Sequence, residues 1–586
     1  MLADRAVFYL GADNSVQRVV ATGNVTTETR PVRAKEPAEE VSETRSRADQ
    51  AEFLLAEKQN LLRLAILTGN VHVEQTGPQP MQGDAGRVIL DFAGRNQLQK
   101  VHAVDGARLT ERAEGTKKPG SSSPSQDFEL TAPVIDFTVA KGHLDRAETS
   151  GAAQIVISPA RQASSADAAS SSAGLVPGAP AQRTVVTAGK FEAKFAADEA
   201  AVGTGRTHLT TIHGAPDARI ANSAAGQPDR VSTSESVEAT FFPQGGIDAI
   251  IQQGNVAYDD GQTPDKRIEA WASSARYTPA DQMLVLTGNP RVMNGAMVTT
   301  AKTIRMNRAT GDALAEGEVK STYSDLKEQP DGALLASASP IHVTAQRMTA
   351  HSTPGLALYS GKARLWQDAN VIEAPNIEFE RDRRFVTARG TAAEPVQTIL
   401  VQAEKNKVRT DKAGTENPAS EKTQPRNFGK TVAPETSPVA ITANLLTYAD
   451  SERRAHYETG VLAKGADFSA SARTMDVYLL PRAQISSQTQ SHQSLAGTFA
   501  GPGQLDRMVA NGDVVIHQPN RRAEGQKLVY TAADDKFVLT GGPPCIFDAE
   551  QGKITGDSLT FFRRDDRVLV EGEASTPVVT QTRVAH

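Results

Sequence analysis

Apolar and polar residues alternate along this chain in short runs centred on a recurring phrase. An aliphatic strand runs into Gly, then Asn, Asp or another small residue, then further aliphatic residues. The phrase reads Ala21-Thr-Gly-Asn-Val25, Leu67-Thr-Gly-Asn-Val71, Gln252-Gln-Gly-Asn-Val256, Leu286-Thr-Gly-Asn-Pro290, Ala510-Asn-Gly-Asp-Val514 and Leu539-Thr-Gly-Gly-Pro543. Weaker echoes sit at Gly106, Gly151, Gly214, Gly317, Gly361, Gly390, Gly460 and Gly572. Gly254 and Gly288 are 34 residues apart; Gly288–Gly317, Gly361–Gly390 and Gly512–Gly541 are 29 apart, and Gly541–Gly572 31. A repeat of that period means a stacked, quasi-one-dimensional architecture.

Upstream of each phrase stands an aliphatic-x-aromatic or aliphatic-x-Met pair, as in Leu90-x-Phe92, Ile304-x-Met306, Ile377-x-Phe379, Leu528-x-Tyr530 and Leu559-x-Phe561. Polar tips such as Asp382-Arg-Arg384, Asp450-Ser-Glu452, Asp534-Asp-Lys536 and Asp565-Asp-Arg567 lie between the halves, where Asp favours a solvated turn. One unit is therefore a β-hairpin, and the chain is predicted to be all-β, with antiparallel hairpins in series. Period-2 alternation places residues i, i+2 and i+4 on one face. Counting by twos assigns Val71, Val73, Val256, Leu284, Leu286, Val292, Val514, Ile516, Phe537, Leu539, Val568 and Val570 to a single inward, apolar face. Around Gly541 the same count points Pro543, Cys545 and Phe547 inward. Thr68, Asn70, His72, Asn511 and Asp513 fall on the wet face.

Composition agrees: of 586 residues only 5% are aromatic and 39% hydrophobic, with 45 Gly and 31 Pro, which suits many short strands and turns. The stretch from Ala48 to Ile66 is compatible with helix, and equally with strand. Low-complexity inserts at 158–183 and 402–439 mark boundaries, giving repeat domains at 1–157, 184–401 and 440–580. Shorter inserts at about 29–46, 111–127, 324–340 and 481–502 are expected as loops or disorder. A net charge of −6 without a basic stripe argues against nucleic acid. The single Cys545 excludes an internal disulfide and reads as a small buried hydrophobe. No run reaches 18 apolar residues, so no helix is predicted to cross a membrane.

Catalytic constellations are not evident. The acidic pairs Asp259-Asp260, Asp534-Asp535 and Asp565-Asp566 fall at turn tips, the 11 His are scattered without zinc spacing, and no nucleophile elbow or phosphate loop opens a helix. What remains is geometry. If two rows of hairpins face each other, their apolar faces line a trough. Closed, it is a core; open, it suits acyl chains, at about 0.8 kcal/mol per buried CH₂.

The phrases Gly525-Gln-Lys-Leu-Val-Tyr530 and Ile554-Thr-Gly-Asp-Ser-Leu-Thr-Phe561, with Met81-Gln-Gly-Asp84 in the N-terminal part, resemble the OstA-like (organic solvent tolerance) family, which includes periplasmic bridge proteins of lipopolysaccharide transport. The match is best over 505–575 and next best over 247–319. The resemblance implies a long β-jelly-roll, or V-shaped two-sheet trough, that passes lipopolysaccharide acyl chains along its inner face without cofactor or chemistry. It implies a place in the periplasm and partners at both ends, an inner-membrane exporter and an outer-membrane insertion complex, joined by strand addition. The N-terminal Ala6-Val-Phe-Tyr-Leu10 reads as a repeat already under way, and Val568-Leu-Val570 closes the last one. The alternatives are a structural β-solenoid or surface adhesin with a closed, dry core, and a β-helical polysaccharide-acting enzyme, which would need carboxylates clustered on a concave face.

Overall fold

The computed structural model describes residues 1–29, 43–111, 126–159, 182–197, 207–402, 437–481 and 505–581, apart from 13, 57–60, 77–80, 95, 141–142, 244–245, 265, 325, 352–354, 466–467, 550–551, 563–566 and 573–576. The inserts at 30–42, 112–125, 160–181, 403–436 and 482–504 lie outside them. Every regular element among the described residues is a β-strand, and the strands described below pair antiparallel. The chain forms two compact units, one of 1–295 with 303–309, the other of 296–302 with 310–586.

The bend in each long strand explains the recurring phrase. In Val16–Thr29, Thr22 pairs with Gln50 and Val25 with Ala48, so Gly23 and Asn24 together face Asp49 alone. This is a β-bulge, in which two residues oppose one and the strand turns sharply. Both bulge residues have positive φ, 78° at Gly23 and 43° at Asn24. Glycine adopts that geometry freely, and Asn or Asp tolerates it better than other residues. Leu62–Thr76 repeats the arrangement at Gly69-Asn70, Ile247–Asp259 at Gly254-Asn255, Leu356–Gln367 at Gly361-Lys362 and Leu505–Gln518 at Gly512-Asp513. Across the bend the second bulge residue engages the residue opposite. Asn70 Nδ2 donates to Asp49 at 2.9 Å and Asn255 Nδ2 to Glu235 at 2.7 Å; Lys302 pairs with Glu318 at 2.8 Å and Arg473 with Asp513 at 2.6 Å.

Each bent strand thus contributes one half to one leaf of sheet and the other half to a second leaf, and the bulges align as a seam. In unit 1 the strands from Val16–Thr29 to Gln126–Ala140 run through both leaves. The chain then breaks at the seam. His143–Ser150, Lys190–Ala197, Thr207–Ala215 and Ser236–Phe241 continue one leaf, while Ala153–Pro159, Gln182–Ala188, Ala218–Ala224 and Arg230–Ser234 continue the other. Ile247–Asp259 joins both again. The strands flanking 160–181 pair directly, Thr184 with Ile157 and Val186 with Ile155. Unit 2 follows the same plan. Four continuous strands from Ala313–Tyr323 to Asn370–Glu380 give way to split leaves, rejoin over Arg454–Lys464 to Arg521–Thr531, and split again.

The strands that oppose a bulge carry a different signature. They skip a residue at the seam, so their buried positions are spaced by three: Ala48 and Ala51, Ala85 and Val88, Ala132 and Ile135, Ala345 and Met348, Ala374 and Ile377, Ala472 and Met475. The seam-side residue is small because the interior is narrow there. At Gly525, the same position of Arg521–Thr531, a Cβ would stand 2.7 Å from Leu539 Cγ.

Candidate functional site

The interior between the leaves is the one feature that every repeat builds, and it differs between the units. In unit 1 the residues next to the seam, among them Ala21, Val25, Leu67, Val71, Ala85 and Val88, are buried. One step further out the side chains are only partly covered: Phe53, Val73, Leu90, Leu109, Phe128 and Phe137 pack on the core while still meeting solvent. Unit 1 therefore offers an aliphatic and aromatic lining that is dry at its base and open toward the strand ends.

In unit 2 two neighbouring strands are dry from seam to rim. Along Leu356–Gln367 and Asn370–Glu380, Ala357, Tyr359, Ala363, Leu365, Gln367, Asn370, Ile372, Ala374, Ile377 and Phe379 are all buried. Tyr323 and Tyr359 hydroxyls meet at 2.7 Å, and the Tyr323 ring stands edge-on to Phe379 at 5.1 Å. Burial pushes the Tyr359 phenol up to about 12 and holds Tyr323, Tyr448 and Tyr457 above the usual range as well.

The inward face assigned from alternation is divided in burial, though not by unit. Val71, Val256, Leu286, Val292, Val514, Ile516, Phe537 and Leu539 are buried, while Val73, Leu284, Val568 and Val570 are half-buried. Around Gly541 the count by twos is corrected. Gly541-Gly-Pro-Pro544 adds residues at the seam and shifts the phase, so that Pro544 and Ile546 are buried while Pro543 and Phe547 are exposed. Cys545 is buried, and burial raises its thiol.

Of the segment 324–340, expected as a loop or disorder, residues 326–340 are a loop without regular structure, but one docked as a strap in unit 2 with Ala333, Leu334, Leu335 and Ala336 buried. The turn tips read as solvated are what hold it. Asp450, 0% exposed, accepts the Ala333 and Leu335 backbone N–H groups at 3.1 Å each, and the Tyr448 hydroxyl accepts from Leu334 at 2.8 Å. Arg384, also buried, donates to the Leu335 and Lys327 carbonyls, and Arg453 donates to Asp331 O at 3.0 Å. From the opposite rim, Gln367 Nε2 donates to Ser337 O at 3.1 Å and Asn370 Nδ2 to Leu334 O at 3.4 Å. Asn370 begins and Arg384 follows the 11-residue strand Asn370–Glu380, whose ends a straight strand would hold about 33 Å apart at ~3.3 Å per residue. Both reach adjacent carbonyls of one strap. The bend therefore brings the two rims together, and the strap crosses between them.

The outer faces carry ordinary cross-strand pairs, such as His72 with Asp84 at 2.7 Å and His456 with Asp476 at 2.7 Å. Among the described residues no group of three or more His, Cys, Asp or Glu is placed to hold a metal ion, and no helix is long and apolar enough to cross a membrane.

The family model described as LptA/(LptD N-terminal domain) LPS transport protein matches residues 215–312 and 440–567. No curated protein matches. Among solved structures, the chain is similar to LptH, the LptA homologous periplasmic component of the conserved lipopolysaccharide transport device from Pseudomonas aeruginosa. The two share 16% identity over 22% of this chain and 87% of that one, at a TM-score of 0.20.

Proposed function

We propose, from the premise that this chain belongs through residues 215–312 and 440–567 to the OstA-like family of lipopolysaccharide-transport proteins, that it carries lipopolysaccharide acyl chains along the inner face of its β-leaves without doing chemistry on them. The observation that carries this reading is the partly open lining of unit 1. Phe53, Leu90 and Phe137 on one leaf and Leu109 and Phe128 on the other form an apolar lining that meets solvent, which a purely structural core would bury. In unit 2 the corresponding interior is closed to solvent along Leu356–Gln367 and Asn370–Glu380. We place the protein in the periplasm or at the outer membrane. We place its partners at the ends of the stack: Arg5–Leu10 pairs only with Val16–Thr29 among the described residues, and Phe8, Tyr9 and Leu10 beside that edge are exposed. Strand addition there would supply main-chain hydrogen bonds.

A photocrosslinking residue at Phe137, facing the interior, is expected to capture lipopolysaccharide, and one at the neighbouring Asp136 on the opposite face is not. Equal capture at both positions, or none at Phe137, would overturn the reading.

A further inference from the structure

The strap of residues 326–340 belongs to neither the seam nor the strands. It leaves one rim of unit 2 after Ala313–Tyr323 and returns to the same rim at Ile341–His351. Between these points it crosses to the opposite rim and docks on the turns holding Arg384 and Asp450. We propose that this strap is a lid which shuts the apolar interior of unit 2 against acyl chains and gives way when a chain enters; the occupant named here rests on the transport reading above.

Three observations support a lid over a permanent closure. First, the strap carries Ala333-Leu-Leu-Ala336, a short aliphatic stretch that is buried between the two rims. Second, the leaves beneath it are lined with apolar side chains. Leu365 pairs with Ile372 one step in from the rim, and Ile377 and Phe379 are buried beyond, so an occupant of this interior would meet an apolar surface. Third, the clamp is incompletely satisfied. Asp450 Oδ2, Gln367 Oε1 and Asn370 Oδ1 are buried without a hydrogen-bond partner, although each side chain holds the strap through its other polar atom. Buried acceptors left unpaired oppose docking, and all three regain water when the strap lifts. Gly332 sits where a Cβ would stand 2.2 Å from Asp450 Oδ2 and 2.9 Å from Ala336 Cβ, so the strap seats only with a residue that lacks a side chain there.

That close approach supplies the test, because Gly332→Val wedges the strap without altering either leaf. In a Cys545→Ser background of the full chain, Ile372→Cys reports on unit 2 and Phe137→Cys on unit 1. Maleimide labelling at position 372 is expected to be slow with the native strap and at least about tenfold faster with Gly332→Val, while labelling at 137 stays the same. A second variant, Leu334→Ser with Leu335→Ser, should do likewise, and retention of the β-type circular dichroism spectrum checks folding of both. An unchanged rate at 372 in both variants overturns the lid. Photocrosslinking to added lipopolysaccharide then identifies the occupant, with capture at 372 expected only in the strap variants. Capture at 137 but not at 372 in an opened variant overturns the lid as a gate for acyl chains. No capture at 137 in any variant instead refutes the transport reading, leaving the labelling rates to decide whether the strap is a lid.

Discussion

Glycine at the seam is required for two separable reasons, and two alanine substitutions tell them apart. Gly69 and Gly106 have nearly the same φ, 79° and 82°. A Cβ on Gly106 meets nothing within 4 Å, whereas one on Gly69 would stand 2.4 Å from Asp49 Oδ2 and 2.9 Å from Asp49 Cβ. Gly106→Ala therefore incurs only the positive-φ penalty of about 1–2 kcal/mol, partly offset by ~0.4–1 kcal/mol from a less flexible unfolded chain. A net loss of about 1 kcal/mol is expected. Gly69→Ala adds an overlap that rotating the carboxylate cannot relieve, since Asp49 Cβ is fixed by its strand. Overpacking of that kind costs about 1–3 kcal/mol, for a total near 3 kcal/mol. Asp49→Gly removes the obstructing atoms, together with the exposed Asn70–Asp49 bond, which contributes under about 1 kcal/mol. The double variant Asp49→Gly with Gly69→Ala should then be more stable than the sum of the single losses by about 1–3 kcal/mol. Native-state hydrogen exchange over Glu43–Leu55 and Leu62–Thr76 reads this locally, which suits a stacked repeat without a single global transition. At about 1.4 kcal/mol per tenfold, Gly69→Ala should accelerate exchange roughly 100-fold and Gly106→Ala about fivefold. Equal acceleration by the two, or no rescue by Asp49→Gly, would refute close approach as the reason for the glycine.

Other expectations follow from burial and charge. Leu539→Asp places an unpaired charge at a position with no solvent contact and should lower stability by several kcal/mol (roughly 3–5), whereas Val538→Asp on the other face should lower it far less; urea melts followed by circular dichroism distinguish them. For Tyr359 the folded phenol is raised by burial from 10.0 to about 12. Its contribution is intact below pH 10 and is lost as pH rises from there toward 12, because the unfolded chain ionises first. At about 1.4 kcal/mol per unit this amounts to roughly 3 kcal/mol, so tyrosinate absorbance from unit 2 should appear together with unfolding, not before it. The exposed Arg473–Asp513 pair should matter little: Arg473→Ala is expected to shift stability by under about 1 kcal/mol in the same melts.

Much of this was legible in the chain itself, and the gaps have physical causes. The Gly phrases are easily read because a bulged strand keeps its parity, so that Leu67, Gly69 and Val71 all lie on one count by twos. The facing strands are harder. Ala48 with Ala51, or Ala374 with Ile377, shows a spacing of three that imitates helical periodicity, which is why Ala48–Ile66 reads as either helix or strand. The small-x-x-large signature becomes intelligible only once the seam is known. The strap was hidden differently. Its flanks are polar, and the four apolar residues Ala333–Ala336 are too few to register as a strand. Asp450 and Arg384 belong to sequences typical of wet turns, and only a segment more than forty residues away in the chain makes them dry.

The seam also governs how this architecture tolerates length changes. Within a strand, inserting one residue would turn every side chain beyond it inside out, exchanging a wet face for a dry one. Where a strand is split at the seam the alternation starts afresh, as the additional residues at Gly541–Pro544 demonstrate: Phe547 loses its inward place, and Ile546 takes it, opposite Ala523. Each split thus acts as a reset, confining a change of phase to half of one repeat in one leaf. A chain punctuated in this way can gain or lose residues at its seam and its turns while every neighbouring repeat keeps its frame.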